Sequence, residues 1–140
     1  MPTPFEPTRV DAMSAAQELI DSGQLEKQLS QLVKLRTESQ NPAQAAALEQ
    51  YLRLIIRPIL LDMGFDASVH NNPIPDAPPL LLADRFETSS LPTILIYGHG
   101  DVIHGQDAQW DEGLSPFEAV IHNNMMFGRG TADNKGQHLI

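Results

Sequence analysis

Leu25, Leu29, Leu32 and Leu35 return at intervals of three and four residues, the spacing that lines one face of an α-helix. Upstream, Ser14 followed by Gln17 has the spacing of a capping box, and Ser22-Gly23 predicts a break or bend between two helical stretches. A further helix is predicted over "NPAQAAALEQYLRLIIRPILLDMGF". Asn41 caps it, Pro42 occupies the first position, where no N–H is needed, and Leu48, Leu52, Ile55, Ile59 and Met63 form its apolar stripe. Pro58 removes one backbone bond and predicts a kink, and Gly64 is placed to end the helix in the left-handed conformation.

After Gly64 the apolar period changes. "DASVHN" and "PLLLADRF" read as strands separated by the proline-rich connection "NPIPDAPP". "PTILIYGH" reads as a third strand, and its unbroken apolar character predicts burial on both faces in a partly parallel sheet. "FEAVIHNNMMFG" predicts a hairpin turning at Asn123-Asn124, because Asn tolerates the left-handed backbone such turns need. Helices first and a buried strand later make this an α/β chain. The prolines at 2, 4 and 7 predict an extended arm over residues 1–12, ahead of one domain over 13–140.

Seven of the nine glycines lie between 98 and 136, so close backbone approach is concentrated at one end. There the apolar run stops at "YGHGDV". His99 and Asp101 stand two residues apart, on one face of an extended segment. A carboxylate beside an imidazole accepts its N–H, fixes the tautomer and leaves the other ring nitrogen for a metal. By itself this spacing is more often a hydrogen-bonded pair at a strand end. Downstream, in "FGRGTADNKGQHLI", Asp133 precedes a predicted helix start, where it serves either as a helix cap or as a carboxylate bridging two metal ions.

Charge and composition narrow the chemistry. A net charge of −9, with Lys and Arg scattered singly, argues against a nucleic-acid partner. No apolar run approaches the roughly 20 residues of a membrane helix, which argues against a membrane. The N-terminus lacks the basic and apolar regions of a secretion signal, which predicts a cytoplasmic location. With no cysteine, any metal is held by His and carboxylate.

Taken in order, "GHGDV", Trp110, "SPF" at 115–117, "GRG" at 128–130 and "DNKG" at 133–136 resemble the M20 metallopeptidases, and "LVKLRTESQNP" resembles the segment after that family's first helix. This is the group of acetylornithine deacetylase, succinyl-diaminopimelate desuccinylase, aminoacylase 1 and carboxypeptidase G2. The resemblance implies the N-terminal portion of a zinc-peptidase-like catalytic domain, a mixed, mostly parallel sheet flanked by helices. It implies a dinuclear zinc hydrolase, with cobalt or manganese as other occupants, cleaving peptide or N-acyl amino acid amide bonds by metal-activated water. His99 matches a zinc ligand, Asp101 the carboxylate that orients it, and Asp133 the aspartate bridging both ions. A cis peptide is implied after Asp133.

The family's dinuclear site takes five protein ligands, of which this chain offers His99 and Asp133. The other three, and the general base, are expected beyond Ile140, which makes the chain a truncated piece that is inactive alone. The lid domain and the homodimer it mediates are expected there too. A noncatalytic binding or interaction module retaining the first half of the fold is the alternative. His70, His104 and His122 read as surface or structural residues, and His138 as near enough to Asp133 for adventitious binding. Trp110 and Phe117 are expected to pack their loop and Arg129 to anchor it.

Overall fold

The computed structural model describes residues 8–140. Helix α1 (Arg9–Asp21) begins at a capping box built from Thr8 and Asp11, so Ser14 and Gln17 lie inside the helix and do not start it. Thr8 Oγ1 accepts from the Asp11 N–H at 3.3 Å while Asp11 Oδ2 accepts from the Thr8 N–H at 2.8 Å. The extended conformation expected over residues 1–12 does not hold from residue 9 on. Residues 9–12 are helical, and residues 1–7 lie outside the described part.

Gly23, at φ 69°, separates α1 from α2 (Gln24–Lys34), at the break the sequence predicts. None of α1 is buried, whereas α2 sends Leu32 and Val33 into the core. Asn41 accepts from the Ala43 N–H and Pro42 opens a short 3₁₀ turn, which leads into α3 (Ala45–Gln50). A π-helical stretch, Tyr51–Ile56, joins α3 to α4 (Arg57–Asp62) just before Pro58, which has no N–H to give an α-helical ladder. The extra residue of a π turn rotates everything after it by about 100°. That shift breaks the expected stripe. Leu48 and Tyr51 are buried, while Ile59 and Met63 face outward. At the end of α4, Gly64 at φ 81° closes a Schellman motif, with the Phe65 N–H bonded to Leu60 O and the Gly64 N–H to Leu61 O.

Strand β1 (Asp66–His70) pairs antiparallel with β2 (Leu80–Asp84), Asp66 opposite Asp84 and His70 opposite Leu80. Strand β3 (Val120–His122) pairs antiparallel with β4 (Met125–Phe127) across Asn123 and Asn124, whose φ angles of 51° and 59° make the predicted turn.

The third predicted strand is corrected. Among the described residues, 92–101 pair with no strand, and Ile94 to Tyr97 are 79–95% exposed. A strand buried on both faces needs neighbours on both edges and both faces, and no described residue supplies them to this segment. Its end alone is docked. The Val102 N–H donates to Thr37 O at 2.8 Å and Val102 O accepts from the Ser39 N–H at 3.2 Å. This Glu38–Val102 bridge is parallel, and it is where parallel pairing occurs among the described residues, both two-stranded sheets being antiparallel. Mixed helix and strand, as the α/β expectation requires, are present on both sides of it.

Candidate metal centre

The extended segment ending at Val102 carries His99 and Asp101, and the loop after β4 carries Asp133. Docking of Val102 beside Thr37 brings the first against α2, and a short 3₁₀ turn, Lys135–Leu139, packs the second against the same helix. The three residues converge. His99 Nε2 is 3.1 Å from Asp133 Oδ1, and His99 Nδ1 is 3.2 Å from both the carboxylate and the carbonyl oxygen of Asp101. All three line one open cleft of about 280 Å³, with Ile103 and the 128–132 loop as its remaining wall.

Asp101 accepts from one ring nitrogen only if that nitrogen carries the proton, which leaves Nε2 with a lone pair facing a carboxylate oxygen. Two lone-pair donors 3.1 Å apart attract a proton or a cation between them. A tetrahedral ion with bonds of ~2.0–2.2 Å sets its ligand atoms about 3.3–3.6 Å apart, so moving apart by a few tenths of an ångström would let this pair share one cation. The Asp133 side chain is 85% exposed, leaving its second oxygen free. Among the described residues no group of three or more His or acidic side chains is arranged to hold an ion.

The glycines next to His99 are spaced for close approach. A Cβ on Gly100 would lie 2.5 Å from the ring of Tyr51, which is fully buried, and one on Gly98 would lie 2.8 Å from His138 Nε2. Tyr51 Oη and His138 Nδ1 are 2.6 Å apart. Burial pushes the Tyr51 phenol up, and burial followed by repulsion from His99 and Lys135 holds His138 below its ordinary value, so a neutral hydroxyl meets a neutral imidazole. His138 is therefore engaged with Tyr51 and does not hang free beside Asp133. The peptide between Asp133 and Asn134 is cis.

Other expectations stand as read. Arg129 stacks over Trp110 at 5.7 Å and reaches the Gly105 carbonyl, which also accepts from Trp110 Nε1 at 2.8 Å, while Phe117 is buried beneath Arg36. His70 contacts Ser68, and His104 lies 3.6 Å from Glu38.

Four supporting residues escape sequence reasoning. Buried Glu38 accepts from the Gly105 N–H at 2.9 Å and holds the loop after the docked segment. Asn134 accepts from the His99 N–H at 3.2 Å. Lys135, wholly buried, donates to Leu32 O at 2.9 Å and Leu35 O at 2.6 Å. Tyr51 backs Gly100. Asn134 and Lys135 sit inside "DNKG", but neither amide nor ammonium reads as buried from sequence.

The chain is similar in sequence and in structure to known proteins. Residues 95–140 match the family model "Peptidase family M20/M25/M40". The Beta-Ala-His dipeptidase of Mus musculus is 36% identical over 81 residues, covering 56% of this chain and 16% of the relative. The succinyl-diaminopimelate desuccinylase of Blochmanniella pennsylvanica is 49% identical over 45 residues, 31% of this chain and 11% of the relative. The solved structure of the dipeptidase Dug1p from Saccharomyces cerevisiae superposes with a TM-score of 0.70 at 28% identity, covering 87% of this chain and 28% of that one. The chain thus spans well under a third of the length of each.

Proposed function

We propose that this chain, whose residues 95–140 match the model of peptidase family M20/M25/M40, is part of the catalytic domain of a metal-dependent hydrolase of peptide or N-acyl amino acid amide bonds. The observation that carries the reading is the His99 Nε2–Asp133 Oδ1 approach of 3.1 Å, with Asp101 on the opposite ring nitrogen.

His99 and Asp133 would hold a divalent cation, zinc by preference for a cysteine-free nitrogen and oxygen set, with cobalt or manganese as substitutes. Bound there, such an ion acts as a Lewis acid toward the scissile carbonyl and makes water a nucleophile near neutral pH. Asp101 holds the Nδ1 proton, so the Nε2 lone pair stays directed into the cleft. The other oxygen of Asp133 faces solvent and would be available to a second ion. Open solvent on that side gives a peptide's amide access to both residues.

Two ligands leave an ion mostly hydrated, so residues 1–140 by themselves bind zinc weakly and turn over no substrate. Further ligands, a general base and a dimerising lid belong to additional polypeptide of a cytoplasmic parent enzyme. The exposed run Ile94–Tyr97 is the surface on which such polypeptide would pack.

The test is a zinc titration of the chain followed at the His99 ring nitrogens, with His99→Ala and Asp133→Asn beside it. A panel of β-Ala-His, Cys-Gly and N-succinyl-diaminopimelate is assayed in parallel. Zinc shifts at His99 that both variants abolish, without hydrolysis, agree with the reading. Zinc binding indifferent to both variants, or turnover by the 140 residues alone, sinks it.

A further inference from the structure

The Asp133 carboxylate is almost fully exposed, and among the described residues its side-chain partner is His99 alone. Its side chain is 85% exposed, so little packing fixes it. The direction it takes is therefore set by the backbone of the segment that carries it, and that segment is held at the next two residues. The buried side chain of Asn134 receives the His99 N–H at 3.2 Å, tying the two ligand-bearing stretches to each other. Lys135, fully buried, reaches across to α2 and donates to the carbonyls of Leu32 and Leu35 at 2.9 and 2.6 Å. Those carbonyls lie at the C-terminal end of the helix, where Leu32 O also accepts from the Leu35 N–H at 3.2 Å and Leu35 O from the Thr37 N–H at 2.9 Å, and where the helix dipole is negative.

From this we propose that Lys135 is a positioning residue for the metal pair. Its ammonium anchors residues 133–135 to the end of α2 and thereby holds the Asp133 carboxylate opposite the His99 imidazole. The inference rests on the metal-site reading given above. An ammonium is suited to the task for three reasons. It has three donors for the carbonyls at the helix end, no acceptor that would compete with Asp133 for a cation, and a stem whose methylenes fill the core beside Tyr51 and Gly130. The same helix end meets the segment that carries His99, because Thr37, two residues past Leu35, accepts from Val102. One helix terminus is thus the common reference for both ligands, through Lys135 on one side and Thr37 on the other. Loss of the ammonium frees one ligand and leaves the other in place.

The test is the zinc affinity of the full chain, followed through the ring nitrogens of His99 in Lys135→Met, Lys135→Arg and Leu48→Ala. Lys135→Met keeps the apolar stem and removes the donors. Lys135→Arg keeps charge and donors. Leu48→Ala lowers stability from a buried site on α3 away from the clamp. The expected result is a roughly tenfold or greater loss of zinc affinity in Lys135→Met, the range found when partners that orient metal ligands are removed. Lys135→Arg should stay within about threefold of the parent, and Leu48→Ala should match it in the folded chain. Lys135→Met that folds and binds zinc as the parent does overturns the positioning role and leaves the metal site standing. A His99 that ignores zinc in the parent chain overturns both.

A reciprocal measurement on the unmutated chain covers the case in which Lys135→Met does not fold. If Lys135 steadies the bound arrangement, zinc steadies Lys135, and hydrogen exchange of its ammonium should slow several-fold when zinc is added. Unchanged exchange at saturating zinc overturns the proposal.

Discussion

Gly100→Ala tests the packing that holds His99 and Asp101 where they are. The added Cβ would stand 2.5 Å from both Cδ1 and Cε1 of Tyr51, whereas carbon atoms in contact sit about 3.5–4.0 Å apart. Either the ring or the 99–101 backbone must retreat by roughly 1 Å. The ring has little freedom, because Tyr51 is 0% exposed, its hydroxyl is bonded to His138 at 2.6 Å, and the Lys135 ammonium lies 5.5 Å from its centroid. Overpacking of this kind costs about 1–3 kcal/mol. For a chain of this size that corresponds to roughly 3–5 °C of melting temperature per kcal/mol. Urea unfolding followed by far-UV circular dichroism reads it directly. The same substitution in a Tyr51→Leu background, where the smaller side chain leaves room, should cost less, with a coupling of at least about 0.5 kcal/mol. A Gly100→Ala chain within about 0.5 kcal/mol of the parent, or an equal cost in both backgrounds, refutes the close-packing argument.

Acid should weaken the fold through His138, whose folded-state pKa lies below the ordinary 6.5, first by burial and then by repulsion from His99 and Lys135. The unfolded chain takes up this proton first, so stability falls as pH drops below about 6.5. His138→Gln should therefore show a shallower loss of urea midpoint between pH 7.5 and 5.5, and identical slopes would contradict the assignment. Asn124→Val places a β-branched residue at φ 59° and should cost roughly 1–2 kcal/mol in the same unfolding assay, while Asn124→Gly should be tolerated. Zinc at ten times its dissociation constant should raise the unfolding free energy by about 1.4 kcal/mol, an increment that His99→Ala removes.

Local signals were legible where the residue that makes a structure also announces it. Asn41-Pro42 opens its helix, Gly64 closes one, and Asn123-Asn124 turns a hairpin, because each is a backbone preference satisfied within a few residues. Thr8 shows the limit, since its capping box with Asp11 uses the same chemistry as Ser14 with Gln17 at an equivalent spacing. Which box starts the helix depends on where the helix begins. The π turn at Tyr51–Ile56 was not legible either. Pro58 predicts a disturbance, but whether a bend or an inserted residue absorbs it decides whether Tyr51 or Ile59 enters the core.

The site divides along the same line. His99, Asp101 and Asp133 can be picked out in sequence because the order of motifs around them resembles the M20 pattern, whereas spacing alone fits a hydrogen-bonded pair and a helix cap, and the structure brings all three together. Their supports are hidden, since Lys135 reads as a surface ammonium until α2 is seen to offer it carbonyls from about a hundred residues upstream. The apolar run Ile94–Tyr97 is the opposite case. Its composition fits burial, yet its side chains are exposed and its backbone is unpaired among the described residues. Apolarity records that a segment gains by being covered, at about 25 cal/mol per Å², but names no partner. The same segment ends at His99. A polypeptide that covered this run would therefore come up beside His99, which lines the open cleft with Asp133.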